Sequence, residues 1–334
     1  MGIDTVPPIV IVTDPEFRRA EGVFTSVTDL RCVAAPPAEE ALVEAIRASG
    51  ARHAIVGSTF YRGALYTALP RGSVLARYGV GHESIDKAQA TRAGLLCTNT
   101  PDVLHQSVAE LTMLLIGAAA RHLLPLTTRL ASGDWAPLEG VELQGRTLAI
   151  VGCGTIGRAV ARIAAAGYGM RVVGYARRPS ALPEDARVHF ERVTDDFASA
   201  VHGADFVSLH IPADPGNVRF MDHERLSLLG RHTWLINTAR GAVVDERALY
   251  EAIADERIGG AALDVFAIEP YQPVDPAHDL RRLSRVVLVP HVGSNTAEAN
   301  RRMAERALRN VRLAEAGELA QLDLLNPDVL SGAK

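Results

Sequence analysis

Two successive series of short β-branched segments, each alternating with amphipathic segments rich in Ala and Leu, constrain the fold of this chain most strongly. Alternation of strands and helices predicts βαβ units and parallel sheets. The first series predicts strands at Ile9–Thr13, Arg31–Ala35, His53–Gly57, Val74–Tyr78 and Leu95–Thr98, with helices at Glu39–Ser49 and Ser84–Ala93. The second predicts six strands, at Thr147–Val151, Arg171–Tyr175, Asp205–His210, Thr233–Thr238, Gly260–Val265 and Val286–Pro290, with Arg187–Phe190 as a weak additional strand. Six parallel strands are typical of a doubly wound dinucleotide-binding sheet.

Two helical segments lie outside these alternations. Val103–Leu124 is nearly all apolar and precedes Pro125, so we expect a long helix that ends before this proline and is buried between domains or subunits. Thr296–Gly317 follows the last predicted strand with no strand after it, and we expect this helix to return to the first domain.

Composition excludes several classes of protein. The chain has 334 residues, with 35 Lys and Arg against 39 Asp and Glu, which argues against a nucleic-acid-binding surface. Its longest apolar run, Leu111–Ala120, is half the length of a membrane span, and no signal peptide is evident. Three scattered cysteines do not suffice for a disulfide framework or a zinc site, so no metal site is expected. We therefore expect a cytoplasmic protein of about two domains with neither nucleic-acid nor membrane partners.

A glycine-rich turn follows the first strand of the second series. Gly152, Gly154 and Gly157 form a GxGxxG pattern between an apolar strand and an Ala-rich helix. In dinucleotide-binding folds the first glycine permits the tight turn, the second lets the pyrophosphate approach the backbone, and the third lets helix and strand pack closely. The alternative is a tight turn without a ligand, and the strand–turn–helix context favours the dinucleotide.

The end of the next strand bears on which dinucleotide is bound. An NAD-specific fold places Asp or Glu there to hold the ribose 2′-hydroxyl, but here Ala176 is followed by Arg177 and Arg178. Because guanidinium groups pair well with phosphate, these residues favour NADP, with NAD possible. The alternative is that both arginines are solvated loop charges.

Three polar residues follow the last three predicted strands, where ligands bind in open parallel sheets. Arg240 could hold a substrate carboxylate, His291 could exchange a proton with a carbonyl oxygen, and Glu269 could orient that histidine and raise its pKa. Taken singly, each has an ordinary structural interpretation: a capping charge, a surface acid before proline and a satisfied loop histidine.

Taken together, these segments closely resemble the D-isomer-specific 2-hydroxyacid dehydrogenase family, and the resemblance covers essentially the whole chain. It extends to the segments Gly79–Gly81, Ser84–Asp86, Thr100–Leu104, Val108–Leu111, Glu142–Gly157 and Leu209–Pro212. The resemblance implies an α/β fold of two doubly wound parallel-sheet domains. In it, a Rossmann dinucleotide-binding domain at 102–295 is inserted into a flavodoxin-like catalytic domain formed by 1–101 and 296–334.

The resemblance also implies roles for individual residues. Arg240, Glu269 and His291 would be catalytic, with Arg240 and the backbone amides of Val80 and Gly81 binding the substrate carboxylate. Asp264 would hold the nicotinamide carboxamide. The remaining cofactor-binding residues would be Gly152, Gly154, Thr155, Ile156, Gly157, Arg177, Arg178, His210, Ile211, Pro212, Thr238, Ala239 and Gly293.

The substrate implied is a small 2-oxo or 2-hydroxy acid. Leu104 lies where phosphoglycerate dehydrogenases usually carry Asn, and the local pattern is similar to that of glyoxylate and hydroxypyruvate reductases. A D-3-phosphoglycerate dehydrogenase-like enzyme remains one alternative, and a dinucleotide-sensing, corepressor-like binding protein is the other. The resemblance further implies a homodimer, joined through Val103–Leu124 and the arm Arg121–Pro137 that follows.

Overall fold

The computed structural model describes residues 6–331. The strands within this range are β1 (Ile9–Thr13), β2 (Arg31–Ala35), β3 (His53–Val56), β4 (Val74–Arg77), β5 (Leu96–Thr98), β6 (Thr147–Val151), β7 (Arg171–Tyr175), β8 (Arg192–Thr194), β9 (Phe206–Leu209), β10 (Trp234–Asn237), β11 (Gly260–Leu263) and β12 (Val286–Leu288). The α-helices there are α1 (Asp14–Arg19), α2 (Glu21–Ser26), α3 (Glu39–Ser49), α4 (Ala64–Ala68), α5 (Lys87–Ala93), α6 (His105–Ala120), α7 (Leu123–Ala131), α8 (Thr155–Tyr168), α9 (Phe197–Val201), α10 (His223–Ser227), α11 (Glu246–Ala254), α12 (Ala297–Glu315) and α13 (Asp328–Ser331).

The chain divides into two compact units. Unit 1 contains the chain up to Leu104 and again from Ser294 onward, and unit 2 contains His105–Gly293. The sheet of unit 1 is entirely parallel, with the strand order β2-β1-β3-β4-β5, which is the flavodoxin-like order. Its core gathers Ile11, Leu42 and Leu75, among other residues.

Helix α12 belongs to unit 1 although it follows unit 2 in the sequence. The Tyr78 hydroxyl donates to the Asn300 carbonyl oxygen at 2.6 Å, and the side chain of buried Asn310 donates to the Asn99 carbonyl oxygen at 3.2 Å. Ala304, Ala307 and other small apolar residues of α12 are fully buried. These contacts place the predicted C-terminal helix against the first sheet.

Unit 2 contains a seven-stranded parallel sheet in the order β12-β11-β10-β9-β6-β7-β8. Apolar clusters cover both faces of this sheet, as expected when helices lie on both sides of parallel strands. From β6 the chain proceeds outward through β7 and β8, then returns to β9 on the other side of β6. The carboxyl ends of β6 and β9 therefore flank the switch point at which doubly wound sheets bind ligands.

Two predictions for unit 2 were wrong in detail. Arg187–Phe190 is not a strand, because Glu184–Arg187 forms a 3₁₀ helix, and the extra strand is β8, which pairs with β7 through Arg192 and Thr194. The long apolar helix does not continue to Pro125. It ends at Ala120, and α7 begins at Leu123, so Pro125 lies in the first turn of α7, where a missing N–H group breaks no helical hydrogen bond.

No single described helix is long and apolar enough to span a bilayer. Helices α6 and α7 reach that length only as a pair, and they are bent by 63° at the break between them. Ten residues of α6 are buried whereas none of α7 is, so the two helices differ sharply in exposure.

Candidate active site

The glycine-rich turn joins β6 to α8 at the switch point. Gly152 has a φ of +102°, and a Cβ atom there would lie 2.5 Å from the carbonyl oxygen of His210. A Cβ on Gly157 would lie 2.1 Å from the carbonyl oxygen of Gly152, so backbone fills the space that a side chain would need. A Cβ on Gly154, by contrast, would meet nothing within 4 Å. Packing thus requires two of the glycines, and the third leaves the start of α8 accessible.

The start of α8 fits a dinucleotide pyrophosphate. Gly154 is the N-cap and supplies no side chain to accept from the N–H groups of the first turn, which Thr155 and Ile156 begin. An anion at such a helix end receives backbone hydrogen bonds and the favourable end of the helix dipole. Buried Cys153 packs against Gly174, and burial raises the pKa of its thiol to about 11, so it is a space-filling group here.

The turn after β7 carries the predicted phosphate-binding arginines. Arg177 and Arg178 are both exposed, and within residues 6–331 their guanidinium groups form no hydrogen bond or ion pair. Ala176 donates its N–H to the carbonyl oxygen of Thr194 at 2.9 Å, which fixes the start of this turn on β8.

His210, Ile211 and Pro212 follow β9, on the other side of the switch point. The His210 Nε2 atom lies 2.8 Å from the Ser208 hydroxyl, while Nδ1 is buried without a partner among the described residues. Burial lowers the pKa of His210 to about 3, so the imidazole is neutral at physiological pH. The Asn217 amide donates to the carbonyl oxygen of Pro212 at 3.0 Å and holds the loop.

The loop after β10 presents Thr238, Ala239 and Arg240. The Asn237 side chain shapes this loop, since its amide oxygen accepts from the Ala239 N–H at 3.0 Å and its amide nitrogen donates to the Arg240 carbonyl oxygen at 2.9 Å. The Thr238 and Thr112 hydroxyls lie 2.8 Å apart and tie the loop to α6. Arg240 is half-buried, with Nη1 donating to the Ala239 carbonyl oxygen at 2.6 Å.

Asp264 follows β11 and is 1% exposed. Its two carboxylate oxygens accept from the N–H groups of Val292 at 2.6 Å and Gly293 at 2.9 Å, and its carbonyl oxygen accepts from the His291 N–H at 2.8 Å. Burial raises the pKa of Asp264, and the hydrogen bonds from Val292 and Gly293 oppose that effect. The sequence predicts that Asp264 holds the nicotinamide carboxamide; in the structure it holds the loop that carries His291.

Glu269 and His291 form a hydrogen-bonded pair, with Oε2 of the glutamate 2.6 Å from Nδ1 of the histidine. Glu269 Oε1 accepts from the Phe266 N–H at 3.0 Å. Burial opposes ionisation of Glu269, but the hydrogen bonds from His291 and Phe266 outweigh it and lower the pKa of this carboxyl. Because an ionised carboxylate can only accept, Nδ1 carries the hydrogen, which leaves Nε2 available for proton exchange.

The structure brings the three predicted catalytic residues to one edge of the sheet. Arg240, Glu269 and His291 follow the adjacent strands β10, β11 and β12, and the charge of Arg240 acts on Glu269 to lower its pKa. Val80 and Gly81 lie in unit 1 instead, after β4, where the Val80 carbonyl oxygen accepts from the Asn99 amide at 2.8 Å. Asn237 was missed, and its signal was its place directly before the Thr-Ala-Arg segment.

Known proteins are similar to this chain in sequence and in fold. The sequence profile of the D-isomer specific 2-hydroxyacid dehydrogenase NAD-binding domain matches residues 113–293. A glyoxylate reductase from Thermococcus litoralis is 38% identical over 275 residues, which cover 79% of this chain and 80% of that protein. A D-3-phosphoglycerate dehydrogenase from Methanocaldococcus jannaschii is 34% identical over 322 residues, covering 96% of this chain but 60% of that protein.

A crystal structure of an NADPH-dependent glyoxylate/hydroxypyruvate reductase from Sinorhizobium meliloti, in complex with citrate, superposes with a TM-score of 0.78 at 27% identity. The match covers 92% of this chain and 94% of the crystallised chain. The sequence-based expectation of two parallel-sheet α/β domains, one of them a Rossmann domain, is confirmed. The chain belongs to the D-isomer specific 2-hydroxyacid dehydrogenase family and is an NAD(P)-dependent oxidoreductase acting on 2-hydroxy acids.

Proposed function

We propose that this enzyme reduces a small 2-oxo acid, glyoxylate or hydroxypyruvate, with NADPH as its preferred reductant. The observation that carries the proposal is the 2.6 Å pair of Glu269 and His291, together with Arg240 at the end of the adjacent strand. A cation and a proton donor at one sheet edge suit a substrate that has both a carboxylate and a carbonyl group.

Each residue has one role in this proposal. A nicotinamide dinucleotide held at the Gly152–Gly157 turn would supply the hydride that C2 of the substrate gains. Arg240 binds the carboxylate and polarises the carbonyl group, and the N–H groups of Val80 and Gly81 remain the predicted additional donors to that carboxylate. Protonated His291 donates from Nε2 to the oxygen that gains negative charge, and ionised Glu269 stabilises the imidazolium.

Two observations support the choice of substrate over 3-phosphoglycerate. A glyoxylate reductase from T. litoralis is 38% identical to this chain, against 34% for the phosphoglycerate dehydrogenase relative. Leu104 also lies where phosphoglycerate dehydrogenases usually carry Asn.

The preference for NADPH rests on Arg177 and Arg178. Both guanidinium groups are exposed after β7, and Ala176 adds no carboxylate that would repel a 2′-phosphate. Well-formed charged hydrogen bonds contribute about 1.5–3 kcal/mol each, and solvent screening moves the value toward the lower end. One such bond gives about a tenfold preference in affinity.

A substrate panel with NADPH and NADH, followed by absorbance, tests both parts of this proposal. We expect kcat/KM to be highest with glyoxylate or hydroxypyruvate and to favour NADPH by at least about tenfold. Arg177→Ala should remove most of this preference, and Ala176→Asp should shift it toward NADH. Equal efficiency with both cofactors in the unmodified enzyme would contradict the role of the arginines, and turnover of neither substrate would contradict the activity.

We also propose that the enzyme is a cytoplasmic homodimer joined through α7 and the arm that follows it. Support comes from large apolar side chains exposed there: Leu123 at 47%, Leu124 at 39%, Leu130 at 56% and Trp135 at 85%. Exposed apolar patches of this kind mark interaction surfaces. All three cysteines are free, as a reducing compartment favours. A monomer mass by light scattering at micromolar concentration would contradict the dimer.

A further inference from the structure

One buried carboxyl group near the site has no role so far. Glu246 is the first residue of α11 and is 5% exposed. Its Oε1 atom accepts from the Ala267 N–H at 2.6 Å, and its Oε2 atom is buried without a partner among the described residues. Burial raises the pKa of Glu246, and the nearby charges of Glu269 and Asp245 raise it further, while the hydrogen bond from Ala267 opposes them.

The hydrogen bond from Ala267 matters because of the segment to which it belongs. Residues 266–269 carry both Glu269 and the Phe266 N–H that donates to it. On one side this segment packs against Gly241 so closely that a Cβ there would lie 1.9 Å from the Phe266 carbonyl carbon. On another side Ala267 and Glu246 line an open surface cavity of about 630 Å³. On the cavity side, therefore, the segment 266–269 is held by the hydrogen bond from Ala267 to Glu246 and not by packing.

Stability alone does not account for a carboxyl group at this position. A carboxyl oxygen buried without a partner destabilises the folded state, and an apolar side chain of similar size would avoid this cost. The Met side chain, for example, is apolar and has nearly the same size as that of Glu. A function that needs the acceptor at Oε1 explains why the side chain is polar.

We propose that Glu246 is a positioning residue for the proton donor: by accepting from the Ala267 N–H, it fixes the 266–269 segment and so holds Glu269 against His291. This inference rests on the proposed function of His291. Glu246 touches neither substrate nor cofactor in this account, and it acts only through Ala267 and Glu269.

Two variants separate this role from a structural one. Glu246→Gln keeps an amide oxygen that can accept from Ala267, whereas Glu246→Met keeps the size and removes the acceptor. We expect Glu246→Met to lower kcat about tenfold, the effect of one lost hydrogen bond, with KM values changed less than about twofold. Glu246→Gln should restore most of kcat.

Hydrogen–deuterium exchange of the peptide that contains residues 266–269 tests the proposal without relying on activity. We expect the Ala267 amide to exchange at least about tenfold faster in Glu246→Met than in the unmodified protein, and Glu246→Gln to stay close to the latter. Equal exchange in all three proteins, or equal loss of kcat in both variants, would overturn the inference. If the unmodified protein reduces no 2-oxo acid, the proposed function fails, and the exchange rates still decide whether Glu246 holds the segment.

Discussion

The glycine turn and the three catalytic loops lie at the same edge of one sheet but are held in position by different means. In the turn, the backbone is held in position by close backbone contacts, which Gly152 and Gly157 allow because they have no side chain. In the loops, position comes from buried polar side chains that bind backbone groups. Asn237 shapes the Arg240 loop, Asp264 holds the His291 loop, and Glu246 binds the segment of Glu269.

This difference follows from what each region has to do. A pyrophosphate needs only backbone N–H groups and room, so glycine gives it the closest approach. A proton donor needs a side chain at a defined distance, and that side chain has to be oriented by others. We therefore expect the turn to be sensitive to added atoms and the loops to be sensitive to lost hydrogen-bonding groups.

The largest effect should come from adding a methyl group to the turn. Gly157→Ala places a Cβ 2.1 Å from the Gly152 carbonyl oxygen, which forces β6 and α8 apart. We expect a loss of about 3 kcal/mol or more in the free energy of unfolding, measured with urea. Gly154→Ala is the matched control, because its Cβ meets nothing within 4 Å.

The control variant sharpens the comparison. Gly154→Ala should unfold within about 1 kcal/mol of the unmodified protein, yet its methyl group would lie where we expect the pyrophosphate to approach the backbone and should weaken NADPH binding at least about tenfold by calorimetry. Normal binding in Gly154→Ala would mean that the dinucleotide lies elsewhere.

In the catalytic loops, the largest effect should follow from removing the proton donor. Loss of a general acid lowers the rate by about two to four orders of magnitude, and we expect this fall in kcat for His291→Ala in steady-state assays. NADPH affinity should stay nearly unchanged, because His291 interacts with Glu269 and not with the glycine turn. Near-normal turnover of His291→Ala would contradict the assignment of His291 as the proton donor.

A smaller effect should come from Asp264→Asn, which tests whether this residue orients the histidine loop or binds the cofactor. The amide nitrogen of Asn would face one of the N–H groups of Val292 and Gly293, so one hydrogen bond is lost. We expect kcat to fall about tenfold while the KM for NADPH changes less than about threefold. A large rise in that KM with normal kcat would instead favour the carboxamide-binding role.

The smallest effect concerns the stability of the protein at acid pH. Burial lowers the pKa of His210 from 6.5 to about 3. The stability that depends on a neutral imidazole is therefore fully present above pH 6.5 and is lost as the pH falls from 6.5 to about 3, because the unfolded chain binds the proton first. In His210→Gln the neutral amide does not titrate. The midpoint of acid unfolding, followed by circular dichroism, should therefore move to lower pH in this variant. A midpoint at the same or a higher pH would contradict this account.

Apart from β8, the interior of every described strand was readable from the sequence, but several strand ends were not. Gly260–Val265 was predicted as a strand, whereas β11 ends at Leu263, because Asp264 leaves the sheet to bind the loop of His291. Apolar patterning continues past this point through Val265, so hydropathy alone does not mark the change. The predicted catalytic residues were found from motifs at such ends.

The positioning role of Glu246 escaped prediction because the contact on which it rests is distant in sequence. Glu246 follows Asp245 at the start of α11 and looks like an ordinary first-turn acid, since its bond to Ala267 spans 21 residues. The break between α6 and α7 was also misplaced. Pro125 marked a helix end in the sequence, but it lies in the first turn of the next helix.

The most direct test of the whole account is the fate of the transferred hydrogen. NADPH deuterated at C4 of the nicotinamide, on the face that is transferred, is incubated with the enzyme and glyoxylate, and the glycolate formed is examined by mass spectrometry. The account predicts that the unmodified enzyme forms glycolate with one deuterium at C2. His291→Ala should form this labelled glycolate about two to four orders of magnitude more slowly. Consumption of NADPH without deuterium in glycolate, or equal labelling rates in the two proteins, would contradict it.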